Sequence, residues 1–234
     1  MNLVLYIHGK GGSPIEAEHY KKIFIDCDVI GLDYKNFTPN EIAEEIFNEV
    51  KNFKNRYEKI ILIANSIGAY FAMNAKIDDK IFQAYFISPI VDMEKLIVEL
   101  MKKCNVTEDE LRHKKIIPTD FGENLSWEYL SYVRKNPISW RVPTKILYGE
   151  KDFITSYETI KNFAEKNNFD VTIMKNGEHW FHTAEQINFL DNWIKNLEWF
   201  NWKRKILLSS ESAGKVHFWQ ANFWGIYFLM KVTT

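Results

Sequence analysis

The pentapeptide Ala64-Asn65-Ser66-Ile67-Gly68 carries the most specific chemical signal in the chain. It lies between a strongly apolar run and a helix-forming segment, which is the strand, nucleophile, helix arrangement of the G-x-S-x-G motif, with alanine in place of the first glycine. A nucleophile at so tight a turn takes strained backbone angles, so small residues are needed two positions before and after it. Ala64 and Gly68 meet that need. A serine that only caps a helix would also fit the pentapeptide, but the position after a strand favours a nucleophile.

A serine hydroxyl becomes a useful nucleophile only when a base removes its proton and an acid orients that base. After such an elbow the chain order is Ser, then Asp or Glu, then His, each on a loop at the carboxyl end of a strand. Asp152 follows the apolar run Lys145–Tyr148, and His179 follows the run Val171–Met174. We therefore predict that Ser66 is the nucleophile, His179 the general base and Asp152 the orienting acid.

Nearby residues compete for these roles. Glu150 lies close to the end of its strand and would not reach forward easily, while Asp92, after the fourth strand, is an alternative position for the acid. His182 lies three residues beyond His179, near the predicted start of the last helix, where a structural role is expected. We therefore prefer His179 to His182 as the base, and Asp152 to Glu150 or Asp92 as the acid.

The first strand ends in a glycine-rich turn, His8-Gly9-Lys10-Gly11-Gly12-Ser13, that leads into a helix. It is not a Walker A loop, because no Gly-Lys-Ser/Thr tripeptide follows the glycines, and it lacks the third glycine of G-x-G-x-x-G. Beside a nucleophilic serine the turn suits an oxyanion hole, in which the backbone N–H groups of Lys10 and Ile67 face the developing alkoxide. His8 is interpreted as a structural anchor rather than a second base.

Short apolar runs alternate with amphipathic segments, which is typical of a parallel sheet covered by helices. The six predicted strands are Leu3–Ile7, Val29–Leu32, Ile60–Ala64, Gln83–Ile87, Lys145–Tyr148 and Val171–Met174. Helix starts are predicted at Ser13-Pro14 and Thr38-Pro39, each with glutamate at the third helical position, and further helices are predicted over Ile67–Ala75 and Thr183–Leu197.

Residues 92–141 interrupt this rhythm with a stretch too long for a plain connection between a strand and a helix. An apolar stripe from Met93 to Met101 and an aromatic-rich segment, Leu125–Val133, predict helices in it. We interpret it as a helical lid; an extra helical layer that only shields the sheet is the alternative. In this segment Trp127, Tyr129 and Tyr132 hint at an apolar acyl or aromatic substrate group, although such residues more often serve packing.

The composition limits the classes of protein to consider. The 30 basic and 31 acidic residues nearly cancel, so the chain lacks the electrostatic signature of a nucleic-acid binder. Apolar runs are too short to span a membrane or to form a signal peptide. Two cysteines, Cys27 and Cys104, are not in a CxxC spacing, so we expect a reducing cytoplasm, no thiolate zinc site and no disulfide framework.

Together, the His-Gly turn, the Ser66 elbow, the Gly-x-x-Asp that ends at Asp152 and the Gly-Glu-His that ends at His179 resemble the α/β-hydrolase superfamily. The resemblance covers about residues 2–198 and implies a mostly parallel six-stranded sheet in the order 2-1-3-4-5-6, flanked by helices. It implies a serine hydrolase that acts on a small-molecule carboxylic ester or thioester through an acyl-enzyme, without metal or organic cofactor.

Two alternatives to a simple catalytic domain stay open. Because this fold also hosts inactive relatives, a catalytically silent binding protein is the second hypothesis for function. Residues 199–234, of which nine are aromatic, are expected to form a separate C-terminal tail, to which no role is assigned.

Overall fold

The apolar runs of the sequence form one parallel six-stranded sheet in a computed structural model that describes residues 1–34, 38–120 and 122–196. The elements in chain order are β1 (Asn2–Ile7), a 3-10 helix (Pro14–Lys22), β2 (Cys27–Gly31), α1 (Pro39–Lys54), β3 (Lys59–Asn65), α2 (Ile67–Asn74), β4 (Gln83–Ile87), α3 (Met93–Lys103), α4 (Glu108–Lys114), β5 (Ile116–Pro118), β6 (Asn124–Ser126), α5 (Trp127–Lys135), β7 (Thr144–Gly149), α6 (Tyr157–Asn167) and β8 (Asp170–Met174). A last helix begins at residue 184 and is described to residue 196.

The main sheet has the strand order β2-β1-β3-β4-β7-β8, and every pairing is parallel. Its central strands β1 and β3 are apolar on both faces because helices cover both sides of the sheet: Leu5, Ile7, Leu62 and Ile63 are completely buried. The predicted fold class and strand order are therefore confirmed. With all strands parallel, the loops after β1, β3, β7 and β8 emerge at the same edge of the sheet.

Both predicted helix starts are present, with different geometries. The helix after Ser13 is a 3-10 helix, in which the Glu16 carboxylate accepts a hydrogen bond from the Ser13 N–H at 3.2 Å. Its buried residues Ala17 and Tyr20 are three positions apart and so share one face of a helix with three residues per turn. The second start gives the regular helix α1, which follows Thr38 as its N-cap.

The insertion between β4 and β7 contains the three helices α3, α4 and α5 and the antiparallel pair β5–β6. The predicted apolar stripe faces the core, since Met93, Ile97 and Met101 are buried. The insertion contains helices, as predicted, and also the small sheet of β5 and β6, which was not predicted from the sequence.

The chain divides into two compact units, Met1–Asn192 and Trp193–Thr234. The expected aromatic tail, residues 199–234, lies outside the described residues. Over the part of the chain that the structure describes, no helix is both long and apolar enough to cross a membrane.

Candidate active site

Ser66 lies at the sharp turn between β3 and α2. Its backbone has φ 53° and ψ −120°, a region that residues other than glycine rarely occupy and that stores strain. Neighbouring backbone groups hold this conformation: the Ser66 N–H donates to the Ile87 carbonyl, and the Ser66 carbonyl accepts from the Ile90 N–H, both at 3.0 Å. The turn therefore fixes the Ser66 side chain at the carboxyl edge of the sheet.

Gly68 explains how α2 starts so close to β1. A Cβ atom built on Gly68 would lie 2.5 Å from both the Ile7 and the His8 carbonyl oxygens, a separation that non-bonded atoms do not tolerate. The second glycine of the elbow motif is therefore a steric requirement at this position.

Ser66, His179 and Asp152 form one hydrogen-bonded chain. The Ser66 Oγ lies 2.8 Å from the His179 Nε2, and the His179 Nδ1 lies 2.7 Å from an Asp152 carboxylate oxygen. An ionised carboxylate can only accept hydrogen bonds, so the Nδ1–H of His179 is the donor in the hydrogen bond to Asp152. The Nε2 of the neutral ring is then free to accept a hydrogen bond from the Ser66 hydroxyl. The geometry lets the ring take the serine proton.

Backbone amides hold the Asp152 side chain, which is fully buried. One carboxylate oxygen accepts hydrogen bonds from the N–H groups of Ile154 and Thr155, at 2.8 and 3.1 Å, so the other is directed at His179. Burial, reinforced by the nearby Asp152 charge, raises the pKa of Tyr148 to about 12. Tyr148 is thus neutral and donates to the Thr155 carbonyl at 2.9 Å.

The competing residues all have other hydrogen-bond partners. The Glu150 carboxylate accepts from the Asn176 N–H, and the Asp92 carboxylate caps α3 by accepting from the Lys95 N–H. His182 lies 2.7 Å from the Trp180 carbonyl oxygen through Nδ1, and its ring stacks on Trp180 with the centroids 4.7 Å apart. The described contacts thus join Ser66 to His179 and Asp152 rather than to these alternatives.

The glycine-rich turn after β1 lies directly against Ser66. A Cβ atom built on Gly9 would be 3.2 Å from the Ser66 Cβ, so the backbone of this turn approaches Ser66 closely. Ile67 is the first residue of α2, and the first N–H groups of a helix have no carbonyl partner within it. The two predicted oxyanion donors, Lys10 and Ile67, therefore lie on segments that border Ser66.

Two contacts at this turn were not foreseen from the sequence. The Lys10 ammonium forms an ion pair with Glu123 of the turn between β5 and β6, which links the loop after β1 to the insertion. Tyr34 stacks on His8, with the ring centroids 4.2 Å apart. Both contacts join residues that are far apart in sequence and belong to no local motif. The one available signal is that Tyr34 lies three residues after β2, a strand that ends at the same sheet edge.

Two of the three aromatic residues of the insertion that hinted at a substrate group, Trp127 and Tyr132, have partners within the protein. The Arg112 guanidinium lies over the Trp127 ring, 4.8 Å from its centroid, and the Tyr132 hydroxyl lies 3.3 Å from the Asn74 amide. The Tyr129 hydroxyl, by contrast, is buried without a hydrogen-bond partner among the described residues. Among residues 1–34, 38–120 and 122–196, no group of three or more His, Cys, Asp or Glu side chains could hold a metal ion.

Comparison with known proteins agrees with this architecture. The model of the uncharacterised protein family UPF0227 matches residues 3–190. A search of curated proteins found no significant match.

Solved structures with the same fold include Est1E from Butyrivibrio proteoclasticus, which is 17% identical with a TM-score of 0.66 over 84% of this chain and 86% of that chain. The mouse α/β hydrolase domain-containing protein 10 is 16% identical with a TM-score of 0.63, over 83% and 88%. A monoacylglycerol lipase from Paleococcus ferrophilus is 16% identical with a TM-score of 0.58, over 83% and 93%. The chain therefore belongs to the uncharacterised protein family UPF0227 and has the α/β-hydrolase fold.

Proposed function

We propose that the protein is a serine hydrolase that cleaves a small-molecule carboxylic ester or thioester through an acyl-enzyme intermediate. The observation that carries this proposal is the hydrogen-bonded chain from the Ser66 hydroxyl through the His179 ring to the buried Asp152 carboxylate. Two features support it further: the strained backbone of Ser66, and the loop backbone packed against its Cβ. Strain of this kind is typical of functional positions.

In the first half of the reaction, the Ser66 Oγ attacks the acyl carbon while its proton passes to the His179 Nε2. The carbonyl oxygen becomes an alkoxide, which the N–H groups of Lys10 and Ile67 stabilise by hydrogen bonding. The tetrahedral intermediate then collapses, and the bond from the acyl carbon to the leaving oxygen or sulfur breaks. The leaving group takes the proton from His179, and the acyl group stays on Ser66.

In the second half, water replaces the leaving group. His179 takes a proton from the water as it attacks the acyl carbon, and the same two N–H groups stabilise the second alkoxide. Collapse returns the proton to the Ser66 Oγ and releases the carboxylic acid. Asp152 stabilises the imidazolium that forms in each half because its carboxylate accepts a hydrogen bond from the Nδ1–H throughout.

The insertion, residues 92–141, serves as a lid over this site. The support is the ion pair between Lys10 and Glu123, because Lys10 belongs to the proposed oxyanion loop and Glu123 to the turn between β5 and β6. Closing the insertion over the site would exclude water from the reacting groups and strengthen the hydrogen bonds to the alkoxide.

Covalent labelling with a fluorophosphonate probe tests the nucleophile directly. We expect stoichiometric labelling of the wild-type protein and none of Ser66→Ala. Ser88→Ala is a matched control, because Ser88 also follows a strand of the main sheet and also has a positive φ, of 41°. Ser88→Ala should label like the wild type. A well-folded wild-type protein without labelling would contradict the proposal and favour a binding role.

The same protein should then be assayed with a chain-length series of esters and their matching thioesters. Hydrolysis of either series at a rate that Ser66→Ala lacks is the expected result, and the preferred chain length measures the size of the acyl site. Labelling at Ser66 without turnover of any substrate in the two series would restrict the proposal to a reactive serine.

A further inference from the structure

The orientation of the peptide between Gly9 and Lys10 decides whether the Lys10 N–H can serve as an oxyanion donor. A peptide unit is planar and trans, so its carbonyl and its N–H point in opposite directions. Whatever holds the Gly9 carbonyl therefore also aims the Lys10 N–H. Glycine at position 9 offers little steric resistance to rotation of this peptide, because it has no Cβ atom.

Two donors hold the Gly9 carbonyl. The His8 Nδ1 lies 2.8 Å from the Gly9 oxygen, and the Gly12 N–H donates to the same oxygen at 3.1 Å. For His8 to donate here, its Nδ1 must carry the proton. Rotation of the peptide would break both hydrogen bonds, and the His8 bond is buried, so its loss would leave polar groups without solvent to replace it.

The His8 ring is itself clamped. Tyr34 stacks on it with the centroids 4.2 Å apart and an interplanar angle of 10°, while the Tyr34 hydroxyl donates to the His8 carbonyl at 2.8 Å. Phe71 packs edge-on against Tyr34, with the centroids 5.8 Å apart. The ring and the carbonyl of His8 are thereby both fixed. His8 and Tyr34 are each at least 95% buried.

We propose that His8 is a positioning residue of the oxyanion hole: its Nδ1–H fixes the Gly9–Lys10 peptide so that the Lys10 N–H is directed at the alkoxide, and Tyr34 holds His8 in place. The inference rests on the proposed function, because an alkoxide forms only if Ser66 attacks an acyl group. His8 does not exchange protons with the substrate in this role. Its effect is carried entirely by the direction of a backbone N–H.

Three variants separate the contributions. His8→Phe keeps an aromatic ring for the stack with Tyr34 but removes the Nδ1–H donor. His8→Asn places an amide N–H near the position of Nδ1 but removes the ring, and Tyr34→Phe keeps the ring stack but removes the hydroxyl that donates to His8. Because loss of a whole oxyanion donor costs about 10² to 10³ in kcat, misdirection of one should lower kcat by roughly 10 to 100-fold in His8→Phe.

The division between kcat and KM distinguishes positioning from a general structural defect. We expect His8→Phe to change KM by less than about threefold, because the substrate carbonyl gains the hydrogen bond fully only as the alkoxide forms. The affinity for a boronic acid, whose tetrahedral adduct with Ser66 places an oxygen in the oxyanion hole, should fall in proportion to kcat/KM. His8→Asn should recover most of the lost kcat, and Tyr34→Phe should lose only several-fold.

A His8→Phe protein with wild-type kcat and boronic acid affinity would overturn the inference while leaving the proposed function intact. A loss confined to KM would overturn it as well, because His8 would then act on substrate binding. If the wild-type protein neither labels nor turns over any ester, the proposed function fails first. In that case the NMR resonance of the Lys10 backbone amide tests whether His8 orients the Gly9–Lys10 peptide. An unchanged chemical shift of this resonance in both His8→Phe and Tyr34→Phe would overturn the inference.

Discussion

The carboxyl edge of the main sheet and the insertion between β4 and β7 are held by different kinds of interaction. At the sheet edge, the Asp152 side chain is completely buried and bonded to two backbone amides and to His179. In the insertion, α5 is joined to α3 and α4 through Arg134, which pairs with Glu94 and Glu108 while a third of its side chain is exposed. The ion pair between Lys10 and Glu123 is more exposed still.

This difference predicts which region is rigid. Buried hydrogen bonds to the backbone are costly to break and are little affected by salt, because a broken pair leaves polar groups unsatisfied. Exposed ion pairs are worth little and weaken as ionic strength rises. The sheet edge should therefore keep its geometry under conditions that loosen the insertion, which is the behaviour that the proposed catalytic centre under the proposed lid requires.

The largest expected effect comes from removing the proposed nucleophile, Ser66, at the sheet edge. Ser66→Ala should lower turnover by roughly 10³ to 10⁶-fold, because no other group at the elbow can form the acyl-enzyme. The melting temperature should stay close to that of the wild type. Turnover of a single activated ester, measured beside Ser88→Ala, checks the expectation, and a Ser66→Ala protein that retains near-normal turnover would remove the basis for the proposed mechanism.

Substitution of the two neighbouring histidines, His179 and His182, should affect turnover very differently. His179 contacts Ser66 and Asp152, whereas His182 contacts Trp180 and is 42% exposed. His179→Ala should resemble Ser66→Ala, and the double variant should be little worse than either, since residues of a triad act as a unit. His182→Ala should keep turnover within about tenfold. An inactive, well-folded His182→Ala beside an active His179→Ala would transfer the role of base to His182.

Gly68→Ala tests whether the elbow is as tightly packed as the structure indicates. The added Cβ would meet two carbonyl oxygens of the β1 end at 2.5 Å, so α2 must move away from β1. We expect a loss of about 1 to 3 kcal/mol in the free energy of unfolding, the range for overpacked sites, and a clear drop in turnover as Ser66 shifts. Urea unfolding curves at pH 7 measure the first effect; an unchanged midpoint would show that the elbow tolerates a methyl group.

The sequence predicted the sheet and its loops because both leave local signals. Apolar runs such as Ile60–Ala64 mark strands buried on both faces, and parallel strands bring the loops after them to one edge. Ser66, Asp152 and His179 lie on three such loops, and the structure brings them into one hydrogen-bonded chain. Their roles in catalysis stay predictions.

What the sequence did not predict depends on pairs of residues distant along the chain or on elements too short for a pattern. The stack of Tyr34 on His8 and the ion pair of Lys10 with Glu123 have no local signature. The strands β5 and β6 have three residues each, too few for an alternating pattern to be recognised. The sheet and the loops after its strands can therefore be predicted from the sequence, whereas side-chain contacts between distant residues and very short strands cannot.

Asp191 offers an ion pair with a mostly buried carboxylate, in the body of the protein, for comparison with the insertion. Its carboxylate pairs with His19 at 2.5 Å and with Lys22 at 2.7 Å. Burial alone would raise the pKa of Asp191, but the hydrogen bonds from Lys22 and His19, together with their charges, lower it overall. A lowered pKa in the folded state means that the group stabilises the fold above its unfolded pKa, near 3.9, and that this contribution is lost as the pH falls further.

We therefore expect the free energy of unfolding to fall more steeply between pH 5 and pH 3 in the wild type than in Asp191→Asn, so that the difference between the two proteins is larger at pH 5 than at pH 3. Urea unfolding at several pH values measures this difference. Parallel curves for the two proteins over the whole range would contradict the pKa shift.

The smallest effect is expected in the insertion, where Arg134 joins three helices. Its two terminal nitrogens donate to the two oxygens of Glu108 at 2.8 and 2.9 Å, and its Nε donates to Glu94 at 2.7 Å. A lysine cannot reproduce this fork, so Arg134→Lys should lower the melting temperature, but by no more than about 3 °C, because the pairs are partly exposed. High salt should shrink the difference between Arg134→Lys and the wild type, while the corresponding difference for Asp191→Asn should persist to a greater extent, since the Asp191 carboxylate is mostly buried and is screened less. Melting temperatures of the three proteins at low and high salt make the comparison. If the Arg134→Lys difference survived high salt while the Asp191→Asn difference vanished, the insertion would be the more rigidly held region, and its role as a movable cover would have to be abandoned.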